Sequence, residues 1–182
     1  MSEAVVSKRY AQALFQLGQE RNIMDTLEQE LLTVREVWAT NKKFTTFLQH
    51  PKVTISKKKT VLSDVFQGFS KEVVHTLHLL ADRHREEIIP EVIAHFITLV
   101  NESKGIAEAK VYSVRELSEE EKVQISSVFA QKLGKNQLKI TNIIDPSILG
   151  GIKLRIGNRI YDGTVKGKLE RMERKLVSAN NR

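Results

Sequence analysis

His75, His78, Asp82 and His84 stand close together and are of types that bind zinc. A His-x-x-His pair on one helical face can hold the metal, but it needs a third ligand on the same side. Asp82 and His84 fall at or beyond the expected end of the helix carrying the pair, so ordinary surface or boundary histidines are expected. Gly163-Thr-Val-Lys-Gly167-Lys168 superficially matches a phosphate loop. It is one residue too short between the glycines, and Leu169 stands where the magnesium-binding hydroxyl belongs. No nucleophile is followed by a credible base, and no G-x-S-x-G elbow occurs. Glu119, Glu120 and Glu121 sit at a helix start, where their charge complements the helix dipole. No catalytic residue, metal or cofactor is expected.

The elements that carry these residues divide into two kinds. Up to Gly105 the apolar residues recur at steps of three and four, the helical period. Val6, Tyr10, Ala13, Leu14 and Leu17 line one face of a first helix, and Ala4, Ala11 and Phe15 form a second stripe beside it. That helix therefore carries more apolar surface than one packing face requires. Met24, Leu27, Leu31, Val34 and Trp38 mark a second helix. Asn41 is a cap for a third bearing Phe44, Phe47 and Leu48, which must stop before Pro51. Ser56 and Ser70 are expected to cap the fourth and fifth helices, and Pro90 suits the first turn of a sixth. Six short amphipathic helices bury their stripes by forming a bundle.

After Gly105 the period changes to two. Ile106 to Val114 alternates, Ser118 and Glu121 form a capping box, and Gly134 ends the helix that follows. Two further alternating runs surround Asp145-Pro146 and Gly150-Gly151. Gly157-Asn158 supplies a hairpin turn, and Gly150, Gly151 and Gly157 are read as backbone devices rather than ligand contacts. Asp162 is expected to cap a last helix bearing Val165, Leu169, Met172 and Leu176. The fold expected is mainly α: a six-helix bundle over residues 1–104, a small α/β domain over 105–177, and an unanchored, mobile tail over 178–182.

The chain has 182 residues, no cysteine and a net charge of +7. Disulfides and thiolate metal sites are thus excluded. No apolar run approaches the roughly 20 residues that span a bilayer, and the first residues open an amphipathic pattern without a cleavable leader. The basic excess implies an acidic partner. Most of it lies between Lys153 and Lys175, where eight bases face three acids. Only Tyr161 is there to stack on a base, so a nucleic-acid-binding module is the alternative rather than the main reading.

Ile144-Asp-Pro-Ser-Ile-Leu-Gly-Gly-Ile-Lys-Leu-Arg-Ile-Gly157, continuing to Arg171 through Tyr161-Asp-Gly-Thr-Val-Lys-Gly-Lys-Leu169, resembles the signature of the F-type ATP synthase delta subunit. That family includes the oligomycin-sensitivity-conferring protein. Arg9-Tyr10-Ala11-Gln12-Ala13-Leu14-Phe15 resembles its opening motif. The likeness covers the whole chain and implies a non-catalytic stator subunit, one copy per complex, linking the catalytic head to the peripheral stalk. It implies an alpha-subunit N-terminal helix lying between the first and fifth helices, against Tyr10, Ala13, Leu14, Thr76, Leu79 and Leu80, although some of these must hold the bundle together, Leu14 and Leu80 first among them. It also implies that the α/β domain holds the b-subunit coiled coil, with Lys166, Lys168, Arg171 and Arg174 as the basic face. Membrane association would come only through the complex, on the cytoplasmic face of a bacterial cell membrane.

Overall fold

A computed structural model describes the backbone of residues 3–180 and the side chains of residues 3–174. Six helices come first: α1 (Glu3–Arg21), α2 (Met24–Thr40), α3 (Lys42–Gln49), α4 (Ile55–Val65), α5 (Lys71–Asp82) and α6 (Ile89–Ser103). A 3-10 turn, Glu86–Ile88, leads into α6. Then follow β1 (Ile106–Ser113), α7 (Glu119–Leu133), β2 (Gln137–Ile144), β3 (Ile152–Ile156), β4 (Arg159–Asp162) and α8 (Val165–Asn180). The chain divides into two compact units between Asn101 and Glu102, within the last turn of α6. Helix α8 runs through Asn180, across the first part of the segment expected to be an unanchored tail, and residues 181–182 lie outside the described residues.

The first unit is a helical bundle around one continuous core. Leu14, Leu27, Leu31, Leu48, Leu62, Phe66, Leu80 and Phe96 are all at most 2% exposed within it. Ala11 is fully buried and Phe15 packs edge-on against Phe96, with ring centroids 6.4 Å apart. The second stripe of α1 is therefore spent on the core at these two positions, while Ala4 remains exposed.

Helix starts follow local chemistry where it is available. Asn41 Oδ1 accepts from the Phe44 N–H (3.1 Å), as its type and position require. The fourth helix is capped by Thr54, whose hydroxyl accepts from Lys57 N–H, and not by Ser56, which lies inside it. Ser70 makes no side-chain cap of its own. Its N–H and hydroxyl instead donate to the Glu30 carboxylate of α2, at 2.9 and 2.5 Å. That carboxylate supplies a negative charge at the start of α5, where the helix dipole favours one.

The second unit is a four-stranded sheet of order β2-β1-β3-β4 with α7 against one face. β1 pairs parallel with β2 through α7, and antiparallel with β3, which continues into β4 by a hairpin. Ala109, Val111, Leu138 and Leu154 point to the covered side with Leu117 and Ala130. The Ser118–Glu121 capping box forms in both directions, and Gly134 ends α7 in the left-handed conformation. Ser126 fastens α7 to the outer strand, accepting from Leu138 N–H (3.0 Å) and donating to its carbonyl (3.1 Å).

Gly151 is where this unit tolerates no side chain. Its φ is +82°, and a Cβ there would lie 2.5 Å from the Gly163 carbonyl oxygen, a backbone atom that cannot swing aside. Gly151→Ala should therefore lower the stability of the α/β unit by about 1–3 kcal/mol, the cost of a strained backbone position. Thermal melts followed by circular dichroism check this; a melt equal to wild type would show that the turn relaxes freely.

Candidate functional site

Among the described residues, exposed apolar side chains occur on both of the surfaces expected to meet partners. The first lies along α1 and α5. Arg21, in the last turn of α1, is ion-paired with Glu72, in the first turn of α5. At about 100° per residue, Glu72, Thr76 and Leu79 share one flank of α5. Tyr10, Ala13 and Leu17 share one flank of α1 by the same spacing. Leu17 and Leu79 are each 38% exposed, Tyr10 and Thr76 are half-buried, and Ala13 is exposed.

Of the six residues expected to line a groove here, four reach the surface and two do not. Leu14 and Leu80 are each 1% exposed and belong to the core, because they occupy the inward centre of their helical stripes. Leu17 was not among the six and completes the row. Its spacing from Tyr10 and Ala13 was the signal that could have placed it there.

The second surface is α8. Thr164 is its cap, its hydroxyl accepting from Gly167 N–H at 3.0 Å. Asp162, expected as the cap, acts one step back: its Oδ1 accepts from the Thr164 hydroxyl (2.7 Å) and N–H (2.9 Å). A Cβ at Gly167 would meet that carboxylate at 2.8 Å. The glycine pattern that resembled a phosphate loop thus serves the helix start.

Thr164's hydroxyl, then its N–H, holds the Asp162 carboxyl below its ordinary value of 3.8. A depressed carboxyl stabilises the fold above its ordinary value and loses that contribution as pH falls through the lower folded value. Asp162→Asn should therefore melt below wild type at neutral pH, and the gap should close as pH drops below about 4. Parallel melts from pH 7 to 3 measure it; a gap independent of pH would remove the charge from the explanation.

Lys166, Lys168, Arg171 and Arg174 are all exposed. At about 100° per residue they spread widely around α8, with Lys168 beside the row Val165, Leu169 and Met172, Arg171 and Arg174 away from it, and Glu170 and Glu173 interspersed among them. Arg171 donates to the Asp162 carbonyl (3.2 Å) and Arg174 to the Glu170 carbonyl (3.3 Å). Gly150 receives the Val165 N–H on its carbonyl (2.9 Å), and Gly157 turns β3 into β4 with φ +55°.

The histidines assemble nothing. His78 Nε2 lies 3.1 Å from Ser63 Oγ and 3.2 Å from the Lys59 carbonyl, half-buried against α4. Asp82 pairs with Lys59 at 2.6 Å. Among the described residues no group of three or more His, Asp or Glu is placed to hold a metal, and no helix is long and apolar enough to cross a membrane.

The family model described as ATP synthase delta (OSCP) subunit matches residues 6–176. The chain is 53% identical over 180 residues to ATP synthase subunit delta of Oceanobacillus iheyensis, covering 99% of each. To the subunit of the same name from a Geobacillus species it is 50% identical over 177 residues, 97% of this chain and 99% of that one. In three dimensions it is similar to a chain of the Toxoplasma gondii mitochondrial ATP synthase hexamer. The TM-score is 0.73 at 19% identity, over 94% of this chain and 97% of the other.

Proposed function

The chain belongs to the ATP synthase delta (OSCP) family, and from that premise we propose that it ties two parts of the enzyme together through the two surfaces above. As a member of that family it is a non-catalytic component of the stator of an F-type ATP synthase. The helical bundle receives the N-terminal helix of an alpha subunit along α1 and α5. The α/β unit holds the end of the b-subunit coiled coil, so that the catalytic head cannot turn with the rotor. The complex, not a span of this chain, keeps it at the cytoplasmic face of a bacterial membrane.

One observation supports this reading above the others. The half-exposed row Tyr10, Ala13, Leu17, Thr76 and Leu79 borders a pair of helices joined at one end by Arg21 and Glu72. Helix-in-groove recognition needs such a row on two neighbouring helices, with apolar anchors at helical spacing.

An affinity-tagged chain expressed in bacterial cells and recovered from detergent-solubilised membranes tests the proposal. Catalytic-head subunits and the b subunit should both co-purify with it, and loss of either would remove the corresponding half of the reading. On the stalk side, Arg171→Glu combined with Arg174→Glu should slow b-subunit association several-fold at low salt, because exposed charges act mainly by steering. The effect should fade at high salt, as screening shortens the reach of the charges. Unchanged kinetics at low salt would make these arginines ordinary solvated surface.

A further inference from the structure

Positions 37–63 hold six lysines and no acid. Lys58 and Lys59 are paired with Glu86 and Asp82. Lys42, Lys43 and Lys52 are exposed, and among the described residues none of the three has an ion pair. All three border one shallow, open cavity of about 590 Å³, which Thr46, Phe47, His50 and Val53 complete.

Local structure explains the hollow. Lys43, Phe47 and His50 follow one another at steps of four and three, so they share one side of α3. The chain then turns back on that helix. Val53 N–H donates to the His50 carbonyl and Lys52 N–H to His50 Nδ1, each at 3.2 Å. With Nδ1 accepting, the ring proton sits on Nε2, and His50 adds a donor to the three ammonium groups. Phe47 and Val53 are half-buried, and the Thr46 hydroxyl is tied to the Lys42 carbonyl at 2.8 Å. The part of the lining that is not cationic is therefore mostly carbon.

We propose that this cavity binds a single-chain amphiphile, with its hydrocarbon against Phe47 and Val53 and its anionic head, a carboxylate or a phosphate, on the lysines. The volume falls in the range of small-ligand pockets, roughly 300–1,000 Å³. Three like charges around one hollow repel one another, and an anion among them relieves that repulsion. The methylene stems of the lysines extend the apolar wall beyond Phe47 and Val53.

Shape selects among anionic occupants. A docked helix needs a row on two neighbouring helices, whereas this lining comes from one eight-residue helix and the turn after it. A bilayer is met by protruding apolar side chains, and Phe47 and Val53 are half-buried. A nucleotide would satisfy the lysines, but the one hydroxyl in the lining is already committed to the backbone.

Calorimetric titration of the full-length chain with decanoate and with decyl phosphate, both below their micelle concentrations, tests the site. At least one should bind saturably, and the tighter of the two identifies the head. Decanol, which has the chain without the charge, and inorganic phosphate, which has the charge without the chain, should each bind at least about ten-fold more weakly. Lys43→Glu combined with Lys52→Glu should weaken the amphiphile by about ten-fold or more, with a melt matching wild type because both positions are exposed. Absence of saturable binding by either amphiphile, or unchanged affinity in the double variant, overturns the proposal. Binding to phosphatidylglycerol vesicles but to neither monomer would make the face a bilayer contact, and equal affinity for adenosine monophosphate would make it a nucleotide site. Either result overturns it as well.

Discussion

Glu86→Ala should destabilise the helical bundle by about 3–5 kcal/mol, the range for leaving one member of a buried ion pair alone. Lys58 of α4 and Glu86 of the 3-10 turn are 2% and 4% exposed, and Lys58 Nζ donates to Glu86 Oε1 at 2.6 Å. Removing the carboxylate strands an ammonium where water does not reach. At roughly 4–8 °C per kcal/mol for a domain of this size, the melting temperature should fall by more than about 10 °C. The reverse change, Lys58→Met, should be comparably damaging. Lys58→Met with Glu86→Leu should recover most of the loss, since a buried pair replaced by apolar residues of similar volume is often neutral or better. Thermal melts of the wild type, both single variants and the double variant decide it. Additive losses in the double variant would show that the cost is one of packing and not of an unpaired charge.

That pair also marks where reading a sequence stops. Lys58 and Glu86 are separated by 28 positions, and each looks like ordinary surface charge until the fold brings them together. The same holds for Glu30, which receives the Ser70 N–H and hydroxyl 40 positions away. Features decided within one turn were legible. Asn41 before Phe44 and Ser118 before Glu121 specify helix starts because donor and acceptor are three residues apart. Thr54 and Ser56 show the limit of that logic, because two hydroxyls two residues apart both qualify and only the path of the preceding loop chooses between them.

Helical periodicity was informative in the same restricted way. It gathered Tyr10, Ala13 and Leu14 onto one side of α1, while the family resemblance, together with helical spacing, picked out Thr76, Leu79 and Leu80 on α5. A stripe about 100° wide runs from the inward centre to a flank, and within it Leu14 and Leu80 are the residues expected to serve the core. The structure draws that line through both stripes, burying Leu14 and Leu80 and leaving Tyr10, Ala13, Thr76 and Leu79 toward the surface. On α8 the row and the basic arc were both legible as residue types. Their arrangement around the helix, with Lys168 beside the row and Arg174 across from it, was not drawn from the pattern, although the 3.6-residue repeat contains it.

The line through the α5 stripe makes the groove testable, because it separates residues that can be changed safely from those that cannot. Leu79 is 38% exposed and makes no part of the buried core, so Leu79→Asp should leave the melting transition of the bundle close to wild type. If the alpha-subunit helix lies against it, the same change should weaken that helix by on the order of 2 kcal/mol, roughly 30-fold, as loss of a central apolar anchor does. Leu17→Asp, on the flank of α1 that carries Tyr10 and Ala13 and with equal exposure, should act in the same direction. Leu80→Asp places a carboxylate in the core and should collapse the fold before affinity can be measured. Calorimetric titration with a peptide of the alpha-subunit N-terminus, run beside thermal melts of each variant, separates the cases. Undiminished binding by Leu79→Asp with an intact melt would exclude this flank of α5 as the docking surface. A lowered melt in Leu79→Asp would show instead that the half-exposed side chain supports the bundle, and the affinity of Leu17→Asp would then decide whether the groove exists.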